Sequence, residues 1–69
     1  MTSLEFVSKT IKSIGTNRFE IELVEVDSGK YCIKTHIYNE EKVDFSELIN
    51  DYNNAAYLFD IKVRELEGN

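Results

Sequence analysis

Cys32 and His36 are the only pair of side chains in this sequence whose types match a catalytic nucleophile and its base. A thiolate and an imidazole act together only within hydrogen-bond reach, about 3 Å. Both residues fall in a segment with strand-like alternation, where four residues of extended chain separate side chains by about 13 Å. We therefore expect Cys32 to be a small buried or half-buried side chain, His36 to face outward, and neither to catalyse a reaction.

Other classes of reactive site also lack the residues that they need. A structural zinc ion takes four ligands, and Cys32 and His36 are the only soft ligands in the chain. Residues 39–51 contain acids but not the D-x-[DN]-x-[DN]-G pattern of a calcium loop, and the three glycines lie too far apart to form a phosphate-binding loop. We expect a protein that is not an enzyme and that has no metal site and no cofactor.

The net charge of −5 is unevenly placed along the chain. Residues 1–38 contain five acids and five bases, whereas residues 39–69 contain eight acids and three bases and so carry the whole excess. Without a basic field, direct binding to nucleic-acid phosphate is disfavoured. An acidic field instead steers a protein toward basic partners, although a charged surface also serves solubility alone.

The elements that position these side chains begin with a central hairpin. Residues 19–23 alternate apolar and acidic residues, which predicts a strand that buries Phe19, Ile21 and Leu23. The apolar phase changes at Leu23–Val24, where we expect a β-bulge. Residues 27–29 predict a turn with Gly29 at positive φ, followed by a return strand over residues 31–38.

Residues 3–14 fit two structures. Leu4, Val7, Ile11 and Ile14 have helical spacing, but β-branched residues and serines favour a strand. A third strand would also give a broader surface for a helix. Residues 42–45 predict a short edge strand after a turn at residues 39–42.

The last part of the chain predicts a long helix that begins after Ser46 or Asp51 and ends at Gly68. One apolar stripe has the spacing of a single helical face: Tyr52, Ala56, Phe59, Val63 and Leu66. Tyr57 and Ile61 fall roughly 180° away, with Leu58 on the flank. We predict one α+β domain over residues 1–69, with a three-stranded antiparallel sheet, optionally a fourth strand, packed on this helix (β-β-β-α). The alternative is α-β-β-α.

A second apolar set on one helix calls for a second surface to cover it. A chain of 69 residues has a small core, and its single cysteine excludes an internal disulfide, so oligomerisation is the remaining way to stabilise it. The residues that we expect to bind a partner protein or a second copy are Asn54, Tyr57, Leu58, Ile61, Arg64 and Glu65. A second layer of the same chain, or plain exposure, would explain these residues equally without a partner. The first hypothesis is a non-catalytic interaction module that dimerises or docks through this helix.

The second hypothesis is an acidic inhibitor. Its expected surface consists of Glu40, Glu41, Asp44, Glu47 and Asp51. In length and acidity the chain is similar to phage-encoded anti-CRISPR proteins and other DNA-mimic proteins, a resemblance that implies a block on a DNA- or RNA-binding protein. Residues 52–68 resemble the closing helix of Trp-Gly-Arg domains, but the sequence has no tryptophan, so that resemblance implies no nucleic-acid role.

We expect neither a secretion signal nor a membrane span. The first residues lack a basic segment followed by an apolar one, and no apolar run approaches the roughly 18–20 residues that cross a bilayer. With a free cysteine, this favours the cytoplasm.

Overall fold

The computed structural model describes residues 9–27 and 29–68, which form a four-stranded antiparallel sheet followed by one long helix. The strand order is β1-β2-β3-β4, so each strand pairs with its neighbours in sequence. The elements are β1 (Lys9–Gly15), β2 (Phe19–Asp27), β3 (Lys30–Ile37), a 3-10 helix (Tyr38–Glu40), β4 (Lys42–Phe45) and α1 (Tyr52–Glu67). The predicted α+β class is confirmed, and the sheet has the fourth strand.

The ambiguous segment at residues 3–14 is a strand from Lys9 onward. The helical alternative over that part is therefore wrong, and residues 3–8 lie outside the described residues. The physical reason is pairing: β1 is hydrogen-bonded along β2, with Ile14 opposite Ile21 and Lys12 opposite Leu23, where the Lys12 side chain lies over the Phe59 ring.

A register shift does lie at Leu23–Val24, as predicted, but its extra residue is in the neighbouring strand: Thr10 of β1 pairs with Val24 and Lys12 pairs with Leu23, which leaves Ile11 as the extra residue. The pairing of β2 with β3 is regular there, with Leu23 opposite Ile33 and Val24 opposite Cys32, and the register shifts only between Glu25 and Asp27. Val24 is buried on the sheet face opposite to that of Leu23. Val24 therefore takes the face opposite to that of Leu23 by ordinary alternation within β2, and the irregularity at this point falls in β1.

Two turns place residues in the left-handed region. Gly29 has φ 81°, as the turn chemistry predicted, and it follows Ser28, which is outside the described residues. Glu41 has φ 52° where the 3-10 helix turns into β4. A non-glycine residue there is uncommon, and its amide donates to the carbonyls of Ile37 and Tyr38.

The core lies between α1 and the inner face of β2 and β3. Its buried members are Phe19, Ile21, Leu23, Ile33, Ala55, Phe59 and Val63. The helical stripe was predicted one position off at its start, because Ala55 is fully buried whereas Ala56 is half-buried and Tyr52 is exposed. Tyr52 nevertheless packs its ring edge-on to Tyr31, with centroids 5.7 Å apart.

Both ends of α1 are fixed by hydrogen bonds. The Asp51 carboxylate accepts from the amide of Asn54 at 2.9 Å, which satisfies one of the open N–H groups of the first turn. At the other end the Gly68 amide donates to the Arg64 carbonyl at 2.8 Å, as the predicted C-cap requires. The Arg18 guanidinium, from the turn between β1 and β2, donates to the Leu66 carbonyl at 3.2 Å and ties the helix end to the sheet.

Candidate functional site

The six residues predicted to bind a partner lie along one side of α1. We call this set the outer stripe: Asn54, Tyr57, Leu58, Ile61, Arg64 and Glu65. Tyr57 is 63% exposed and Leu58 is 38% exposed, whereas Ile61 is half-buried. The described part of the chain thus leaves the aromatic and aliphatic centre of the outer stripe accessible.

Ile61 is half-buried because it faces a groove beside α1. The groove has a volume of about 470 Å³ and separates the helix from β3, β4 and the loop that follows β4. Its apolar lining comprises Ile33, Phe45, Leu48, Ile49, Leu58 and Ile61, and its polar lining comprises Thr35, Asp44, Ser46, Glu47, Lys62 and Glu65. Three members of the outer stripe therefore line the groove, while Tyr57, Asn54 and Arg64 do not.

The loop between β4 and α1 is held against β3 by three backbone hydrogen bonds and one to a side-chain hydroxyl. Ser46 donates its amide to the Ile33 carbonyl at 2.9 Å, and its hydroxyl accepts from the Ile33 amide at 2.9 Å. Ile49 and Tyr31 exchange two backbone hydrogen bonds of 2.8 Å. Between these two anchor points Leu48 remains 56% exposed at the groove. A fixed loop thus presents an apolar side chain to solvent.

The groove is mostly apolar inside and mostly acidic in its charged lining. Asp44, Glu47 and Glu65 contribute carboxylates, and Lys62 contributes one ammonium group. Asp44 also forms an ion pair with Lys42 at 3.9 Å, but both side chains are more than 60% exposed. Such an exposed pair contributes little to stability, so a competing cation can replace Lys42 at small cost.

The second predicted set, the five acids of the nucleic-acid mimic, is exposed but serves different local roles. Glu40 and Glu41 lie in the turn before β4, Asp44 and Glu47 line the groove, and Asp51 caps α1. The structure brings Asp44 and Glu47 to one site together with apolar groups.

Cys32 and His36 both lie on the face of β3 that points away from α1, as their spacing predicted. The buried Cys32 thiol donates to the Ser46 carbonyl at 3.7 Å, and the His36 ring packs edge-on to Tyr38 at 5.0 Å between centroids. Burial raises the pKa of the Cys32 thiol above its ordinary value. At neutral pH the group is therefore a protonated thiol, which is a weak nucleophile.

Within residues 9–27 and 29–68, no group of three or more His, Cys, Asp or Glu side chains is arranged to hold a metal ion. In the same described ranges, neither helix combines the length and the apolar character required to cross a lipid bilayer. No protein-family model matches the chain, and no curated protein or solved structure is significantly similar to it.

The outer stripe was predicted from the spacing of residues on one helix, whereas the groove was not predicted. The groove combines Ile33 from the central hairpin with Leu48 and Ile61, which are distant in the chain. One signal was present in the sequence: Phe45 and Leu48 are large apolar residues in a segment otherwise rich in acids. Apolar residues in a short acidic connection are candidates for contact with something outside the connection itself.

Proposed function

We propose that this protein is a non-catalytic interaction module that binds a protein, either a partner or a second copy, through the outer stripe and the adjoining groove. The observation that carries the proposal is the exposure of Tyr57 and Leu58 directly beside an apolar groove. Exposed apolar side chains that adjoin one another, bordered by polar residues, are typical of protein-binding sites. Single exposed apolar residues are common on protein surfaces and do not by themselves indicate a binding site.

The residue types in the outer stripe support the same proposal. Tyrosine and arginine are enriched at the centres of protein interfaces, because each combines a large contact area with hydrogen-bonding groups. Tyr57 and Arg64 are both exposed on α1, with aliphatic Leu58 and Ile61 between them in sequence. The volume of the groove, about 470 Å³, is within the range of pockets that hold one or more side chains or a small ligand.

A test uses the double substitution Tyr57→Ala and Leu58→Ala. We expect the wild-type protein either to form a dimer by light scattering as its concentration rises, or to retain a discrete protein from a lysate of its native host. The double variant should lose that dimer or that protein while keeping its circular dichroism spectrum and thermal midpoint, because neither side chain belongs to the core.

The matched control is Val43→Ala, since Val43 is also an exposed apolar residue but pairs with His36 on the face opposite to α1. Retention of binding by the control and its loss in the double variant would locate the interface on α1. A protein that is monomeric at every concentration, and whose captured proteins are the same for both variants, would refute the proposal.

We propose the cytoplasm as the location of this module, because Cys32 is a free thiol and a reducing compartment preserves such groups. The acidic inhibitor stays a prediction of the sequence. Its specific test is the substitution Glu40→Gln with Glu41→Gln: a nucleic-acid mimic should lose affinity for its target, whereas a module that docks through α1 should not.

A further inference from the structure

We propose that the groove binds a segment of another protein in which apolar side chains are flanked by lysine or arginine. This inference rests on the proposed function and adds the chemistry of the partner. The inference is based on the groove and not on the whole outer stripe, because the groove combines a concave apolar surface with an excess of acidic side chains.

The apolar part of the segment is required by the inner lining. Ile33 is buried and forms part of the inner surface of the groove, while Leu48 and Leu58 remain accessible on opposite sides, one from the loop and one from α1. Water in contact with such surfaces is released when an apolar side chain enters. Entry of one or two aliphatic or aromatic side chains therefore supplies the binding free energy.

The basic part of the segment is required by the charges around the groove. Asp44 and Glu47 stand on the side formed by β4 and the loop, and Lys62 is the one cation among the lining residues. Asp44 already has an exposed ion pair with Lys42 at 3.9 Å, which a cation of the partner can replace at small cost. The part of the chain that contains β4, the loop and α1 also carries the whole net charge of −5. A lysine or arginine of the partner placed beside Asp44 and Glu47 thus gains attraction near the groove and over a longer range.

The same charges disfavour a second copy as the occupant. Another copy of this chain brings the same acidic half and the same net charge of −5 to the contact. Like charges that face each other across an interface oppose association. Charge complementarity therefore favours a partner of opposite sign over self-association through the groove.

The test is a selection of random linear peptides, displayed on phage, against the immobilised full-length protein. We expect the enriched peptides to have a net positive charge and at least two large apolar residues. Their synthetic versions should bind the wild-type protein in solution, measured by fluorescence anisotropy. Affinity should fall as salt rises, because the Debye length shortens to about 8 Å at physiological ionic strength.

Two pairs of variants locate the contact. Asp44→Asn with Glu47→Gln should weaken peptide binding about fivefold, in keeping with two exposed charge pairs. Glu40→Gln with Glu41→Gln changes the net charge by the same amount, from −5 to −3, and should leave the affinity within about twofold because these acids do not line the groove. Leu48→Ser should likewise weaken binding, and Val43→Ser should not.

Several outcomes would overturn the inference. Enrichment of neutral or acidic peptides, equal losses in the two acid-to-amide variants, or no enrichment at all would each contradict it. The protein could instead form a dimer that depends on Tyr57 and Leu58 and with which no peptide competes. That result would leave the proposed function intact and refute only the partner chemistry assigned to the groove. If the protein binds neither itself, a host protein nor any peptide, both the inference and the proposed function fail.

Discussion

The face of α1 that packs on the sheet and the centre of the outer stripe both contain aromatic and aliphatic residues, but in opposite surroundings. On the sheet side Phe59 is almost fully buried and Ala55 fully so, whereas Tyr57 and Leu58 are largely or partly exposed. The two sets alternate within less than two turns of one helix. Hydrophobicity alone therefore does not determine which side of a helix packs on the sheet. The fit of small Ala55 and large Phe59 against β2 and β3 decides it.

The largest expected difference between the two faces comes from aromatic truncation. Phe59→Ala should lower the free energy of unfolding by about 4 kcal/mol, because it leaves a cavity among core side chains. Tyr57→Ala should change it by less than about 0.5 kcal/mol. Urea denaturation followed by circular dichroism measures both. Equal losses in the two variants would mean that Tyr57 supports the fold, and the distinction between the faces would break down.

The next difference tests how closely the helix approaches the sheet. Ala55→Leu should destabilise the protein by about 2 kcal/mol, because Ala55 has no exposed surface and added carbons must displace its neighbours. Asn53→Leu, at an exposed position of the same helix, is the matched control and should lie within about 0.5 kcal/mol of wild type. Thermal unfolding monitors both substitutions. A harmless leucine at position 55 would show that the helix and sheet are not closely packed there.

A smaller effect is expected at the start of α1, which is part of neither the sheet-packed face nor the outer stripe. Asp51→Ala should cost about 1 kcal/mol, because it removes the acceptor for the Asn54 amide. Asp51→Ser keeps an acceptor at that position and should recover most of the loss. Chemical denaturation measures the change, and an unaltered midpoint for the alanine variant would show that the cap does not contribute.

The smallest expected effect concerns Lys12, whose ammonium lies 5.1 Å from the centroid of the Phe59 ring. Lys12→Met keeps a long side chain over the ring but removes the charge, and should cost about 0.5 kcal/mol. The same substitution in a Phe59→Leu background should cost nothing further, so a double-mutant cycle isolates the contact. An equal cost in both backgrounds would assign the effect to general electrostatics.

The sequence predicted the parts of the fold that depend on local pattern. Alternation from Phe19 to Leu23 and the turn at Gly29 predicted the hairpin. Gly68 predicted the end of α1, and of the two predicted caps for its start, Ser46 and Asp51, the structure has Asp51. These features depend on neighbours in the chain, so one sequence suffices to find them.

Features that depend on distant parts of the chain were missed or misplaced. The register shift at Leu23–Val24 has its extra residue in β1, between Thr10 and Lys12, and no pattern within β2 alone assigns that residue to one strand or the other. The groove joins Ile33 to Leu48 and Ile61 only after β4 and the loop have closed along β3. The outer stripe was predictable because it belongs to one helix, whereas the surface next to it is a product of tertiary structure.

Site-specific photo-cross-linking is the most direct test of whether the outer stripe contacts another protein. A photoreactive phenylalanine analogue at position 57, in the cells where the protein functions, should yield a discrete covalent adduct with one protein or with a second copy. The same analogue at Lys30, the exposed first residue of β3, should yield none. Adducts of equal yield and identity from both positions, or none from position 57, would contradict the account.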